Sequence, residues 1–292
     1  MAIFPLLLFL TILGSSFAAS ILYERAGPVG RTCGSEPSSD WVRAAESQFT
    51  TLQKLGGKNI TGKGKIKVYW HVIQAGETLA EGNIPDSQIH ASIKTTSADY
   101  AKAGLTLELA SIDRTTNRTW FRYVAPGLPS NTDMKNRLHK GGAADLNVYT
   151  VGFKGGPGLG LFGYATFPMS YEANKTDDGV VIQYATLPGG TYENYNLGKT
   201  LTHEFGHWLG LYHTFRGDTC SGDGDYVSDT PPEQTSTYGC PAEKDTCPGG
   251  GPDPIHNFMD YSFDSCLYEL TPGQIKRIKQ QIKTYRGIET AN

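Results

Sequence analysis

Residues 203–213 read His203-Glu204-Phe205-Gly206-His207-Trp208-Leu209-Gly210-Leu211-Tyr212-His213. His203 and His207 are four residues apart, so on a helix they share one face, one turn from each other. Neutral imidazoles at that spacing supply two ligands to one zinc ion. Glu204, beside them, reaches a water held by that metal. Gly210 suits the left-handed conformation that ends a helix and turns the chain sharply. The turn returns His213 to the same metal as a third ligand. Three protein ligands leave one position for water, which marks a catalytic rather than a structural zinc. Zinc lowers the pKa of that water, and Glu204 takes its proton as the water attacks a carbonyl. Two surface histidines with a coincidental third are the competing reading, which leaves Glu204 and Gly210 unexplained.

The rest of the chain fits that chemistry. It has 292 residues, 26 Lys+Arg against 29 Asp+Glu, 11% aromatics and 35 glycines. Near-neutral charge and many aromatics exclude a wholly disordered chain. No clustered positive charge marks a nucleic-acid binder. Leu6 to Leu13 form a short apolar run that ends in small residues through Ala18. Residues 1–18 therefore read as a signal peptide, too short to span a bilayer comfortably. The protein is expected to be secreted, extracellular and free of membrane. Four of five cysteines, Cys220, Cys240, Cys247 and Cys266, cluster. In an oxidising compartment they suggest two disulfides, with three pairings open. Asn59, Asn117 and Asn174 begin Asn-x-Thr sequons and are candidate glycosylation sites.

Residues 19–64 are polar and broken, with one helix expected over Ser39–Leu55. The basic, glycine-rich stretch Lys54–Lys65 is of the kind proteases nick. It reads as the end of a prosegment, which puts the catalytic domain at 65–292. Strands are expected at Ile66–Ile73, Leu105–Leu109, Asp145–Val151, Tyr164–Phe167 and Gly179–Tyr184. Helices are expected at Pro85–Ala103 and Leu270–Tyr285. Strands mixed with long helices suggest a sheet packed on helices. Phe215–Ser265 is almost aperiodic and holds most of the Cys, Asp, Gly and Pro; disulfides or ions can staple such a segment.

The 203–213 string, with Asn257-Phe258-Met259-Asp260-Tyr261 as a Met-containing turn, resembles the metzincin zinc endopeptidases. Cys220-Ser221-Gly222-Asp223-Gly224-Asp225, Gly239-Cys240-Pro241 and Asp253-Pro254-Ile255-His256-Asn257 are similar to the pappalysin family, above all its compact secreted fungal and microbial members. The resemblance implies an α+β, zincin-like fold. A twisted mixed sheet with backing and active-site helices (upper subdomain, 65–210) would stand over an irregular, disulfide-stapled lower subdomain (211–292). It implies His203, His207 and His213 as ligands of one catalytic Zn2+, Glu204 as base, and Met259 as the floor beneath the metal. Tyr261 would steady an oxyanion; a plain core tyrosine is the alternative. The resemblance also pairs Cys220 with Cys247 and Cys240 with Cys266. A protein or peptide substrate would lie extended in the cleft, against the strand after the Gly155–Gly163 run.

Asp223, Asp225 and Asp229 lie in a glycine-rich loop where closely spaced carboxylates suit Ca2+, and pappalysin relatives carry calcium here. Solvated loop acids are the alternative. Cys33, in Arg31-Thr32-Cys33-Gly34, is left over from the pairing. A thiolate there could fill the open position on zinc, as in the cysteine switch of latent metzincins. Two function classes follow. One is a secreted zinc endopeptidase made as a zymogen and expected to be a monomer. The other is a catalytically silent, zinc-containing secreted binding protein; the intact Glu204 favours the first.

Overall fold

The computed structural model describes residues 30–217 and 219–290, so the signal-peptide reading of 1–18 lies outside the described residues. Helix α1 (Ser39–Lys54) opens the described chain, capped by the Ser38 side chain. Next come β1 (Lys65–Gln74), α2 (Asp86–Asp99), β2 (Thr106–Thr116), α3 (Arg118–Tyr123), α4 (Pro129–Leu138) and β3 (Leu146–Val151). The chain continues through β4 (Gly163–Ala165), β5 (Val180–Gln183), α5 (Lys199–Trp208) and α6 (Pro272–Arg286).

The sheet has the order β2-β1-β3-β5-β4. Its pairs are parallel except β4 on β5. The central strand β3 is buried at every residue, as a strand covered on both faces should be. Helices α2 and α5 pack together against the sheet, over a core that includes Trp70, Val148, Ile182, Phe205 and Trp208. The sequence expected α2 to run to Ala103, but the α-helix ends at Asp99 and a short 3-10 turn, Ala101–Ala103, follows.

Strand β2 runs seven residues past the expected Leu109. Its outer half is polar and half-exposed, and a register slip between Val68 and Tyr69 breaks the alternation. The sequence reading missed α3, which is only six residues long, and α4, which is short and largely polar. Their end signals were present: Asn117 accepts from the N–H groups of Thr119 and Trp120, and Pro129 opens α4.

Between α5 and α6 the described residues contain one short 3-10 turn, Asp264–Cys266, and no other helix or strand. Disulfides Cys220–Cys247 and Cys240–Cys266 hold this region. Helix α6 is fixed by a buried hub. Arg286 pairs with both oxygens of Asp178 (2.9 and 3.0 Å), which also accepts from Trp208 Nε1 (2.9 Å) and Thr166 Oγ1 (2.9 Å). At the edge of the fold, Thr61 and Gly62 donate to Gly287 O, and Glu289 N donates to Gly62 O. The lead into β1 is thereby paired with the C-terminal segment.

Candidate active site

Helix α5 is buried along nearly all its length and carries His203, Glu204 and His207. It ends at Gly210 (φ +99°), where a Cβ would press on Gln281 of α6. The turn brings His213 back to the helix. His203 Nε2 and His207 Nε2 each lie 3.1 Å from His213 Nε2. The opposite ring nitrogens are fixed. His203 Nδ1 donates to Phe258 O (2.7 Å), His207 Nδ1 to Leu211 O (2.8 Å), and His213 Nδ1 faces Glu36 Oε1 (2.9 Å). With its proton on Nδ1, each imidazole turns an Nε2 lone pair to one shared point. Burial holds His203 and His207 well below the usual histidine range, so neither is a cation. Three lone pairs that face one another call for a cation between them, and imidazole nitrogens suit zinc.

Cys33 Sγ belongs to the same cluster: its ligand atom and those of the three histidines all lie within 4.8 Å of one another. It sits 3.3 Å from Glu204 Oε2. Burial, then the Glu204 carboxylate, pushes the thiol well above its ordinary range. Burial pushes Glu204 up to about 8, against the lowering effect of the Cys33 hydrogen bond. The Cys33 N–H donates to Tyr261 Oη (3.2 Å), which stands 3.4 Å from His213 Nε2. Met259 is fully buried against Gly206, between the two helix histidines in sequence.

Residues around Cys33 run against β4. Gly34 N donates to Gly163 O and Phe162 N to Thr32 O, both at 2.9 Å, so Thr32–Gly34 runs parallel along β4. Ser35 Oγ takes the Ala165 N–H and returns a bond to its carbonyl. Arg31 is wholly buried, paired with Asp264 Oδ1 (2.6 Å) and set over the Tyr195 ring. Farther along, Glu46 of α1 accepts from both terminal nitrogens of Arg277 and from Tyr212. A cavity of about 340 Å³ remains between residues 34–41 and β4, walled by Trp41, Tyr164 and Phe167. The sequence reading did not single out Arg31, Glu36 or Asp264. Only Arg31 carried a local signal, from its place in Arg31-x-Cys33-Gly34.

The three loop aspartates part ways. Asp229 caps α6, accepting from Thr271 Oγ1 and Gly273 N (both 2.8 Å). Asp225 is buried and its Oδ2 has no partner; Asp223 is exposed nearby. Burial pushes Asp225 up to about 6. Asn59 and Asn174 are exposed and Asn117 is half-buried.

A mostly parallel five-stranded sheet over this histidine helix, with the methionine turn against it, defines a metzincin-type metalloprotease. The family model for peptidase M43 (pregnancy-associated plasma protein-A) matches residues 142–283. The chain is 40% identical over 261 residues to extracellular metalloprotease 1 of Coccidioides posadasii, covering 88% of this chain and 91% of that one. A Tannerella forsythia promirolysin mutant superposes with TM-score 0.70 at 27% identity, covering 88% of this chain and 96% of that one. Mature mirolysin in complex with a cleaved peptide gives 0.61 at 26%, covering 77% and 96%. The chain belongs to the peptidase M43 family of zinc metalloendopeptidases.

Proposed function

We propose that the protein is a secreted endopeptidase of extracellular proteins, made as a latent precursor and seen here in the latent form. The observation that carries this is the meeting of three imidazole lone pairs with the Cys33 sulfur at one buried point, with Glu204 Oε2 3.3 Å from that sulfur. His203, His207 and His213 would hold one zinc ion. When bound, it supplies a Lewis acid for the scissile carbonyl and an acidified water. Glu204 takes the proton of the attacking water and passes it to the leaving amine. Tyr261 offers its hydroxyl to the developing oxyanion. An extended substrate pairs with the edge of β4, which Thr32–Gly34 covers now.

Latency follows from the same contacts. Cys33, as a thiolate, would complete the ligand set and keep water out. We assign residues 1–18 to a signal peptide, 19–64 to the prosegment and 65–292 to the catalytic domain. The upper subdomain is then 65–210 and the lower 211–292. Coverage of this chain of 88% by a promirolysin and 77% by a mature mirolysin supports a removable segment. Secretion is supported by the extracellular relative and the apolar leader. The unpartnered Asp225 Oδ2, with Asp223 beside it, supports one calcium ion in the 220–230 loop. Asp229 is already engaged as a helix cap. The exposed Asn59 and Asn174 remain glycan candidates, and the enzyme would act as a monomer.

The deciding experiment is digestion of a mixed peptide library by trimmed protein, beside Glu204→Ala, with zinc measured in both. Cutting by the wild type alone, at one zinc per chain, is the expected result. Bound zinc without cutting would instead make the protein a silent binding protein.

A further inference from the structure

The Glu204 side chain rests against the rim strand as well as beside the histidines. A Cβ on Gly163 would stand 2.7 Å from Glu204 Cγ, 2.7 Å from Oε1 and 2.9 Å from Cδ, well inside the 3.4–4 Å of ordinary contact. The backbone does not call for glycine here. Gly163 lies outside the left-handed region and pairs in register with Ile182. The requirement is space. Glu204 is 1% exposed, and its far side meets Cys33 Sγ at 3.3 Å. A side chain at 163 would drive the carboxylate away from β4 and toward the place where Cys33 now lies, where substrate and water must later fit.

We propose that Gly163 is a positioning residue for the general base, a reading that rests on Glu204 being that base. The bare Cα of Gly163 lets the carboxylate seat against β4 and so fixes its height above the histidines. The peptide edge of the same residue does a separate job: its carbonyl accepts the Gly34 N–H, and an alanine would keep that carbonyl. Base placement and main-chain pairing are thus separable by one methyl group.

The test combines kinetics with a coupling measurement. In trimmed enzyme, Gly163→Ala should lower kcat about 100-fold, the scale of a displacement near 1 Å, with KM and zinc content unchanged. In the full chain, Gly163→Ala should lower the melting temperature by about 2–4 °C when Glu204 is present. Added to a Glu204→Ala chain, where the clash is gone, it should leave the melting temperature unchanged. Wild-type kcat in Gly163→Ala would overturn the proposal. So would an equal melting loss, or a failure to fold, in both backgrounds, since Gly163 would then be an ordinary packing glycine. Activity surviving in Glu204→Ala alone would overturn the base assignment instead, and that arm is read separately.

Discussion

His203 and His207 turn their Nε2 atoms to one shared point because their Nδ1 protons are held by Phe258 O and Leu211 O. That arrangement does not involve Glu204, so the proposed base can be removed without disturbing the proposed ligands. Glu204→Ala should lower kcat by about 10²–10⁴ while metal analysis still finds one zinc per chain. Cys33 is the complementary case. Full-length Cys33→Ser should hydrolyse a short peptide before any trimming, whereas the wild-type full chain should not; an equally silent Cys33→Ser chain would end the switch reading. The residues of α5 and its turn were legible because their chemistry is compressed into eleven positions of one helix and one glycine turn. Glu36 against His213, and Arg31 against Asp264, were not: these partners lie far apart in sequence and no periodicity links them.

Elements obey the same division. Helix α6 was legible from Thr271-Pro272 and its isoleucine stripe, and the structure adds a capping box with Gln274. Asp229 reinforces that cap from the loop, so Asp229→Ala should cost about 1 kcal/mol, read as a lowered denaturation midpoint. Helix α1 was legible as Ser39–Leu55, although the capping side chain is Ser38 rather than Ser39 or Asp40, and its docking site on α6 was not legible. The Arg31–Asp264 and Glu46–Arg277 pairs tie the first part of the chain to the lower region. Arg31→Ala leaves Asp264 buried with two backbone N–H donors from Leu197 and Lys199. Its full chain should lose about 3 kcal/mol in denaturant titration. The trimmed enzyme from the same gene should match wild type, because Arg31 is no longer present.

At the scale of the whole molecule, order in the region between α5 and α6 comes from cross-links and polar contacts. Lys244 sits among Glu233, Asp253 and Thr237, and two disulfides join cysteines 27 and 26 positions apart. The aperiodic composition of that region announced a stapled loop but not its course, since chain direction there is set by such distant contacts. A calcium-selective chelator should lower the melting temperature while zinc stays bound; no change in melting would remove calcium from the account. One feature at the edge of the fold bears on the finished enzyme. Gly62, on the prosegment side of the proposed boundary, is bonded to both Gly287 and Glu289, so the lead into β1 and residues 287–289 lie side by side. Gly64 approaches the Thr290 side chain, so a chain cut at the proposed boundary would still begin beside residue 290. A short linker from residue 290 to residue 65 could then join the two, with new ends opened in an exposed loop away from the histidine helix.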